Sequence, residues 1–228
     1  MIGIIGAMKE EVNILKKLIE NQKQHHIMHV EFTTGTLHGQ DVVLLESGIG
    51  KVNVAIATTL LLEKFNATMV INTGSAGGVS FDAEIGDVVI SLSVAYHDVD
   101  VTGFGYAIGQ VPNLPATFMA DDDLIKKVET ILKNQQVRYM KGQVVTGDAF
   151  VNRPEQIEKI KNHFSDAVAL EMEAAAVAHV CHVAKVPFIV IRALSDIAGK
   201  VSHVSFEEFL PLAAKHSSEI VAKLVENL

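Results

Sequence analysis

Short apolar runs of strand type alternate with longer segments of helical period along the whole chain, and no other feature restricts its fold as tightly. This alternation predicts an α/β protein, with helices covering both faces of a largely parallel sheet. Residues 2–8 read as a buried strand, and 10–21 as a helix with Val12, Leu15, Leu18 and Ile19 on one face and Lys16, Lys17 and Glu20 on the other. Residues 26–34 and 41–47, around the turn Leu37-His38-Gly39-Gln40, pattern as a β-hairpin, which makes the expected sheet mixed. A nearly all-apolar helix over 51–65 leads to a buried strand over 68–73 that ends at Gly74-Ser75-Ala76-Gly77-Gly78. Strands are expected at 87–96, 143–146, 167–170 and 188–194, and helices at 121–135, after Pro154, at 173–185 and at 206–228. The stretch 97–120, with three glycines and two prolines, reads as a long loop of the kind that serves a site or an interface. No repeat, low-complexity tract or Pro/Ser-rich linker divides the 228 residues, so residues 1–228 are expected to form one domain.

Composition removes several classes of function. With 49% apolar residues, 20% charged residues and a mean hydropathy of +0.29, the chain can bury a core and is not disordered. Nineteen basic against 27 acidic residues give a net charge of −8, a poor match for nucleic acid, whose phosphates need a cationic face. No stretch approaches the roughly 20 apolar residues of a membrane span, and Gly3, Gly6 and Lys9-Glu10-Glu11 argue against a targeting segment at the start. The single Cys181 excludes an intramolecular disulfide and a cysteine-built zinc site, and fits a reducing cytoplasm. His25, His26 and His29 fall in an expected strand, and His179, Cys181 and His182 on an apolar helix, so no metal is expected. The glycine clusters fail as nucleotide cradles. Gly48-Ile49-Gly50 meets Asn53 where a dinucleotide fingerprint has its third glycine, and Leu45 stands where a P-loop before Gly50-Lys51 needs one. No cofactor is expected.

Acidic residues at the ends of apolar strands are more informative, because α/β sheets bind ligands outside the carboxyl ends of their strands. Glu10-Glu11, Ser75, Glu171-Met172-Glu173 and Ser195-Asp196 occupy such places. Were these strands parallel neighbours, one sheet edge would collect Glu11, Ser75, Glu173, Arg192 and Asp196, a set suited to acid–base chemistry. Each also has a plainer reading: Glu11 and Glu173 as carboxylates favoured by a helix N-terminus, Ser195 or Asp196 as a cap. Spacing alone therefore stops at a hydrolase or transferase that uses carboxylates.

Seven ordered blocks carry a resemblance across nearly the whole chain. They are Ile2-Gly3-Ile4-Ile5-Gly6-Ala7-Met8-Lys9-Glu10-Glu11-Val12, Ser47-Gly48-Ile49-Gly50-Lys51-Val52, Asn72-Thr73-Gly74-Ser75-Ala76-Gly77-Gly78, Tyr96-His97-Asp98-Val99-Asp100-Val101-Thr102, Gly147-Asp148-Ala149-Phe150, Glu171-Met172-Glu173 and Arg192-Ala193-Leu194-Ser195-Asp196. In these the chain resembles the methylthioadenosine/S-adenosylhomocysteine nucleosidases of the purine nucleoside phosphorylase superfamily.

The resemblance implies a three-layer α/β/α fold with a central mixed sheet, a homodimer, and cleavage of the bond between adenine and a 5′-thioribose. The implied substrates are 5′-methylthioadenosine, S-adenosylhomocysteine and 5′-deoxyadenosine, which belong to methionine salvage. Asp196 would protonate purine N7, Glu11 would activate the attacking water, and Ser75 and Arg192 would help to hold that water or the base. Glu173 would bind the ribose hydroxyls, Phe150 would stack on adenine, the backbone of Val151 would read the purine edge, and Met172 would pack beneath the ribose. Met8, Ile49 and Phe206 would line the channel for the 5′ substituent. Ala76, Gly77 and Ser195 complete the implied contacts from this chain, and Val101, Phe104 and Pro112 would arrive from the neighbouring subunit. Val151 stands where some members have isoleucine, and Lys9 where many have an acidic residue. A phosphorylase of the same superfamily is the chief enzyme rival, but phosphate favours arginine, and only Arg138, Arg153 and Arg192 exist. The other rival, a noncatalytic nucleoside-binding or storage protein on this fold, would not need all of Glu11, Glu173 and Asp196.

Overall fold

The structure, a computed structural model, describes residues 1–198 and 202–228. Strand β1 (Ile2–Gly6) is buried along its whole length and leads into helix α1 (Lys9–Leu18). Then come β2 (Glu20–Ile27), β3 (Val30–Leu37), β4 (Gln40–Glu46), α2 (Lys51–Phe65), β5 (Met69–Gly78) and β6 (Val88–Tyr96). A 3-10 turn at Thr102–Phe104 and the two-residue β7 (Phe118–Met119) interrupt the long loop. The rest comprises α3 (Asp122–Asn134), β8 (Tyr139–Thr146), α4 (Pro154–His163), β9 (Ala167–Glu171), α5 (Ala174–Ala184), β10 (Phe188–Ile197) and α6 (Ser202–Glu226). The expected α/β class and mixed sheet are borne out.

Strands β4, β1, β5 and β10 are parallel neighbours. Beyond β4 the sheet continues antiparallel through β3 to β2. On its other side β10 pairs antiparallel with β6, which runs parallel to β8, and β8 parallel to β9. Strand β9 then returns to β5 antiparallel, Gly77 opposite Leu170, so β5, β10, β6, β8 and β9 close into a ring. Helices α2 and α5 pack together on one face, and α1, α3 and α6 associate on the other. Ile4, Ile5, Ile71 and Val190 are fully buried between them, each stabilising the fold by about 1.5–3 kcal/mol.

Three expectations change. The strand read at 26–34 is broken at Met28, whose φ of 57° turns the chain, and the residues before it form the additional strand β2. Among the described residues strand β2 pairs only with β3, and it is largely exposed, so its sequence ENQKQHHI carries no apolar alternation to betray it. The glycine block does not follow β5 but forms its last turn of ladder, and Ser195 and Asp196 lie within β10 rather than after it. Finally, β9 approaches β5 antiparallel, so the carboxylates meet where the ring closes and not along one parallel edge.

Candidate active site

Glu11 is three residues beyond the extended Met8 that precedes α1, and from there its carboxylate folds back on the chain entering the helix. Oε2 accepts the N–H groups of Ala7 at 2.9 Å and Met8 at 3.2 Å; Oε1 accepts the Ser75 N–H at 2.9 Å and its hydroxyl at 3.0 Å. Four donors fix a carboxylate that is only 1% exposed. Gly74 makes the approach possible. Its φ is +150°, and a Cβ there would collide with both Glu11 Oε1 and Arg192 Nη1.

Arg192 is wholly buried on β10. Its Nη2 donates to Glu171 Oε2 and, at 2.9 Å, to Asn72 Oδ1, while Nη1 lies 3.3 Å from the Thr73 carbonyl. Burial opposes its charge, but Glu171, Glu173 and Glu11 around it more than offset that and raise its pKa further. Glu171 ends β9 and also accepts the N–H groups of Glu173 at 2.9 Å and Ala174 at 2.8 Å, so it closes the first turn of α5. Its other oxygen takes the Thr146 hydroxyl. Glu173 projects from the same turn, accepts the Gly50 N–H at 2.9 Å and lies 3.6 Å from Arg192 Nη2. Burial, then the charge of Glu171, push the Glu173 carboxyl well above its ordinary value, with Arg192 acting in the opposite sense.

Asp196 reaches the same space through a β-bulge. Along β10, Arg192, Ala193 and Leu194 pair with Gly74, Ser75 and Ala76, but Asp196 pairs with Gly77, leaving Ser195 as the extra residue. Strict alternation would put Asp196 on the face of Arg192 and Leu194; the bulge moves it to the face of Ser75. Ser195 Oγ lies 3.0 Å from Asp196 Oδ1 and 3.4 Å from the Ala76 carbonyl. A Cβ on Gly77 would stand 3.2 Å from Asp196 Oδ2, so the glycine leaves room for the acid.

These groups bound a cavity of about 390 Å³, within the range of small-ligand sites. Glu11, Ser75, Glu173, Ser195 and Asp196 supply its polar wall, with Ala76 and Gly77 beside them. Met8, Ile49, Met172, Phe150 and Phe206 supply the apolar wall, the last two rings meeting nearly edge-on at 5.8 Å and 69°. Two residues expected to contribute from this chain stand outside the lining. Arg192 sits behind the wall and reaches it through Glu171 and Glu173; the Val151 side chain packs with Ile160, Phe164 and Leu170. Ala7, Leu170 and Glu171 line the cavity without having been expected. Glu171 carried a signal, a strand-end carboxylate two residues from Glu173. Val101 is half-buried, Phe104 is 84% exposed and Pro112 is exposed, none of them in this chain's cavity. Larger depressions of about 590 Å³ between α3 and α6 and about 980 Å³ beside α5 hold none of these strand-end carboxyls. Among the described residues no three His, Cys, Asp or Glu side chains converge to hold a metal ion.

The arrangement sets two carboxyls, one fixed by four donors and one beside a serine hydroxyl, around an apolar slot with a third carboxyl at its edge. Over residues 1–226 the sequence matches the phosphorylase superfamily. It is 55% identical over 228 residues to the 5′-methylthioadenosine/S-adenosylhomocysteine nucleosidase of Bacillus subtilis, covering 100% of this chain and 99% of the relative. The chain belongs to this nucleosidase family. Solved structures of the nucleosidase family agree. The Neisseria meningitidis member, in complex with methylthio-immucillin-A, has a TM-score of 0.98 at 45% identity, covering 100% of this chain and 99% of that one. The Colwellia psychrerythraea member, in complex with adenine, has a TM-score of 0.97 at 45% identity, covering 100% and 95%.

Proposed function

We propose that this chain hydrolyses the N-glycosidic bond of 5′-methylthioadenosine and S-adenosylhomocysteine, releasing adenine and 5-methylthioribose or S-ribosylhomocysteine, with 5′-deoxyadenosine as a third substrate. The observation that carries the reading is the convergence of Glu11, from the first helix, and Asp196, from the last strand, on one apolar cavity. Adenine is a poor leaving group as an anion, so a carboxylic acid at Asp196 delivers a proton to purine N7 as the bond lengthens. Glu11 takes a proton from the water that attacks the anomeric carbon, on the opposite face of the sugar, as in inverting glycoside hydrolysis. As the bond lengthens and before water adds, positive charge gathers on the ribose. A site with Glu11, Glu171 and Glu173 around one arginine favours it.

Glu173 holds the ribose hydroxyls, Phe150 stacks on the purine while the Val151 backbone reads its edge, and Met172 packs beneath the sugar. Met8, Ile49 and Phe206 receive the 5′ substituent. Val101, Phe104 and Pro112 of a second copy close that channel in a homodimer. Phosphorolysis lacks an anion seat, because among the described residues no arginine lines the cavity: Arg192 is engaged by Glu171 and Asn72, and Arg138 by Glu84 and Asp87. No described helix is long and apolar enough to cross a membrane, and Cys181 is a buried free thiol. We place the enzyme in the cytoplasm, as a single domain within methionine salvage. Incubation with methylthioadenosine, with and without inorganic phosphate, tests the reaction. Adenine and free methylthioribose are expected in both; a sugar phosphate formed only with phosphate would overturn hydrolysis.

A further inference from the structure

Two segments that reach the cavity are held together by charged groups that the reaction does not use. Lys51 opens α2, with Nζ 2.6 Å from Asp98 Oδ2 and 3.8 Å from Asp148 Oδ2. Its N–H donates to Asp148 Oδ1 at 2.8 Å, and the Asp148 N–H donates to Asp98 Oδ2 at 2.9 Å. The ammonium also lies 5.4 Å from the centroid of the Tyr96 ring. The start of α2, the end of β6 and the loop after β8 thus close around one cation. An exposed ion pair would contribute little. Here the Lys51 and Asp98 side chains are only 22% and 28% exposed, and backbone donors complete the geometry. Burial would raise the Asp98 carboxyl, but Lys51 and the Asp148 N–H outweigh it and hold it below its ordinary value.

Both ends of this cluster adjoin the cavity along the chain. On one side Ile49 lines the cavity and the Gly50 N–H holds Glu173. On the other, Asp148 lies two residues before Phe150. Gly50, at φ +97°, lets the two close, since a Cβ there would stand 3.2 Å from Asp148 Oδ1. We propose that Lys51, Asp98 and Asp148 form an ionic clasp that positions Ile49, Gly50 and Phe150, and so sets the affinity for the nucleoside without touching it. The proposal deepens the nucleosidase reading of the cavity and rests on it. These are positioning residues. Glu11 and Asp196 are fixed by other partners, so opening the clasp loosens binding more than it slows the chemical step.

The test uses the full chain with Lys51→Met, Asp98→Asn and the conservative Lys51→Arg. Glu84→Gln, which cuts the ion pair with Arg138 outside the cavity lining, controls for losing an ion pair as such. In Lys51→Met and Asp98→Asn, KM for methylthioadenosine and the calorimetric Kd for adenine should rise about tenfold while kcat stays within about threefold. Lys51→Arg should restore most of both, and Glu84→Gln should change neither. Unchanged KM and Kd in folded variants, or a fall in kcat at constant KM, would overturn the clasp. So would unfolding of every clasp variant beside a folded Glu84→Gln protein. Adenine binding is measured without turnover. A native protein that binds adenine but releases none from methylthioadenosine would therefore sink the nucleosidase reading while the effect of the clasp on binding is still read.

Discussion

The carboxylate wall of the cavity and the arm formed by residues 101–115 are built on opposite terms. Glu11, Glu171 and Arg192 are at most 9% exposed, and each is engaged by several hydrogen-bonding groups of the same chain. The arm is also ordered from within. Asp100 Oδ1 accepts the Thr102 N–H at 3.0 Å and hydroxyl at 2.7 Å, and Gln110 bridges Ala107 and Leu114. Yet it holds Phe104 out in solvent at 84% exposure. The homodimer proposed above gives this uncovered aromatic ring a surface to meet. In the function proposed above, one chain supplies the groups for bond cleavage and enclosure of the substrate is left to a second copy related by two-fold symmetry.

The most severe way to break this contrast is at the wall. Asp196→Asn keeps the shape of the side chain but cannot deliver a proton, so kcat should fall by about 10²–10⁴-fold with adenine still bound and the circular dichroism spectrum unchanged. Substantial turnover by the folded variant would overturn the role proposed for Asp196. Phe104→Asp probes the arm. Sedimentation should show weakened dimers and KM for methylthioadenosine should rise about tenfold, with kcat at saturation much less affected. A fully active monomer would remove the arm from the site and leave the hydrolytic wall intact.

The smallest effect sharpens what the wall costs the fold. Burial and Glu171 raise the Glu173 carboxyl above its ordinary 4.5, so the folded protein binds that proton more tightly than the unfolded chain. The resulting stability is fully present below pH 4.5 and is lost as pH rises through the raised value. Glutamine cannot ionise. Glu173→Gln should therefore match the native protein in melting temperature in acid and exceed it increasingly from weakly acid to neutral pH, even as activity falls. Each unit of pH across that window corresponds to at most about 1.4 kcal/mol. Parallel melting curves at every pH would show that the charge of Glu173 is not strained by its surroundings.

The sequence exposed the parts of this architecture that follow local rules. Glu11, Ser75 and Glu173 were legible because carboxylates and hydroxyls at the ends of apolar strands stand out against their context. Asp196 was legible as a residue but not in its direction, since alternation through Leu194 points it to the wrong face and a bulge leaves no local mark. Strand β2 was hidden because an edge strand open to solvent needs no apolar side. The place of Arg192, holding Glu171 from behind the wall, and the meeting of Lys51 with Asp98 and Asp148 depend on partners 21, 47 and 97 residues away. Such pairings follow from the closure of the sheet and not from spacing.

That closure also sets when the enzyme comes into being. The partner of one flank of β5, β1, precedes it in the chain, but the strand for its other flank, β10, begins 110 residues after Gly78. At roughly 5–20 residues per second, this apolar edge stays unpaired for on the order of 10 s during synthesis. With the roles proposed for Glu11 and Asp196, a nascent chain thus carries its base long before it gains its acid. Until β10 docks, a chain that depends on Asp196 lacks its acid and holds an open edge of the kind that invites wrong pairing.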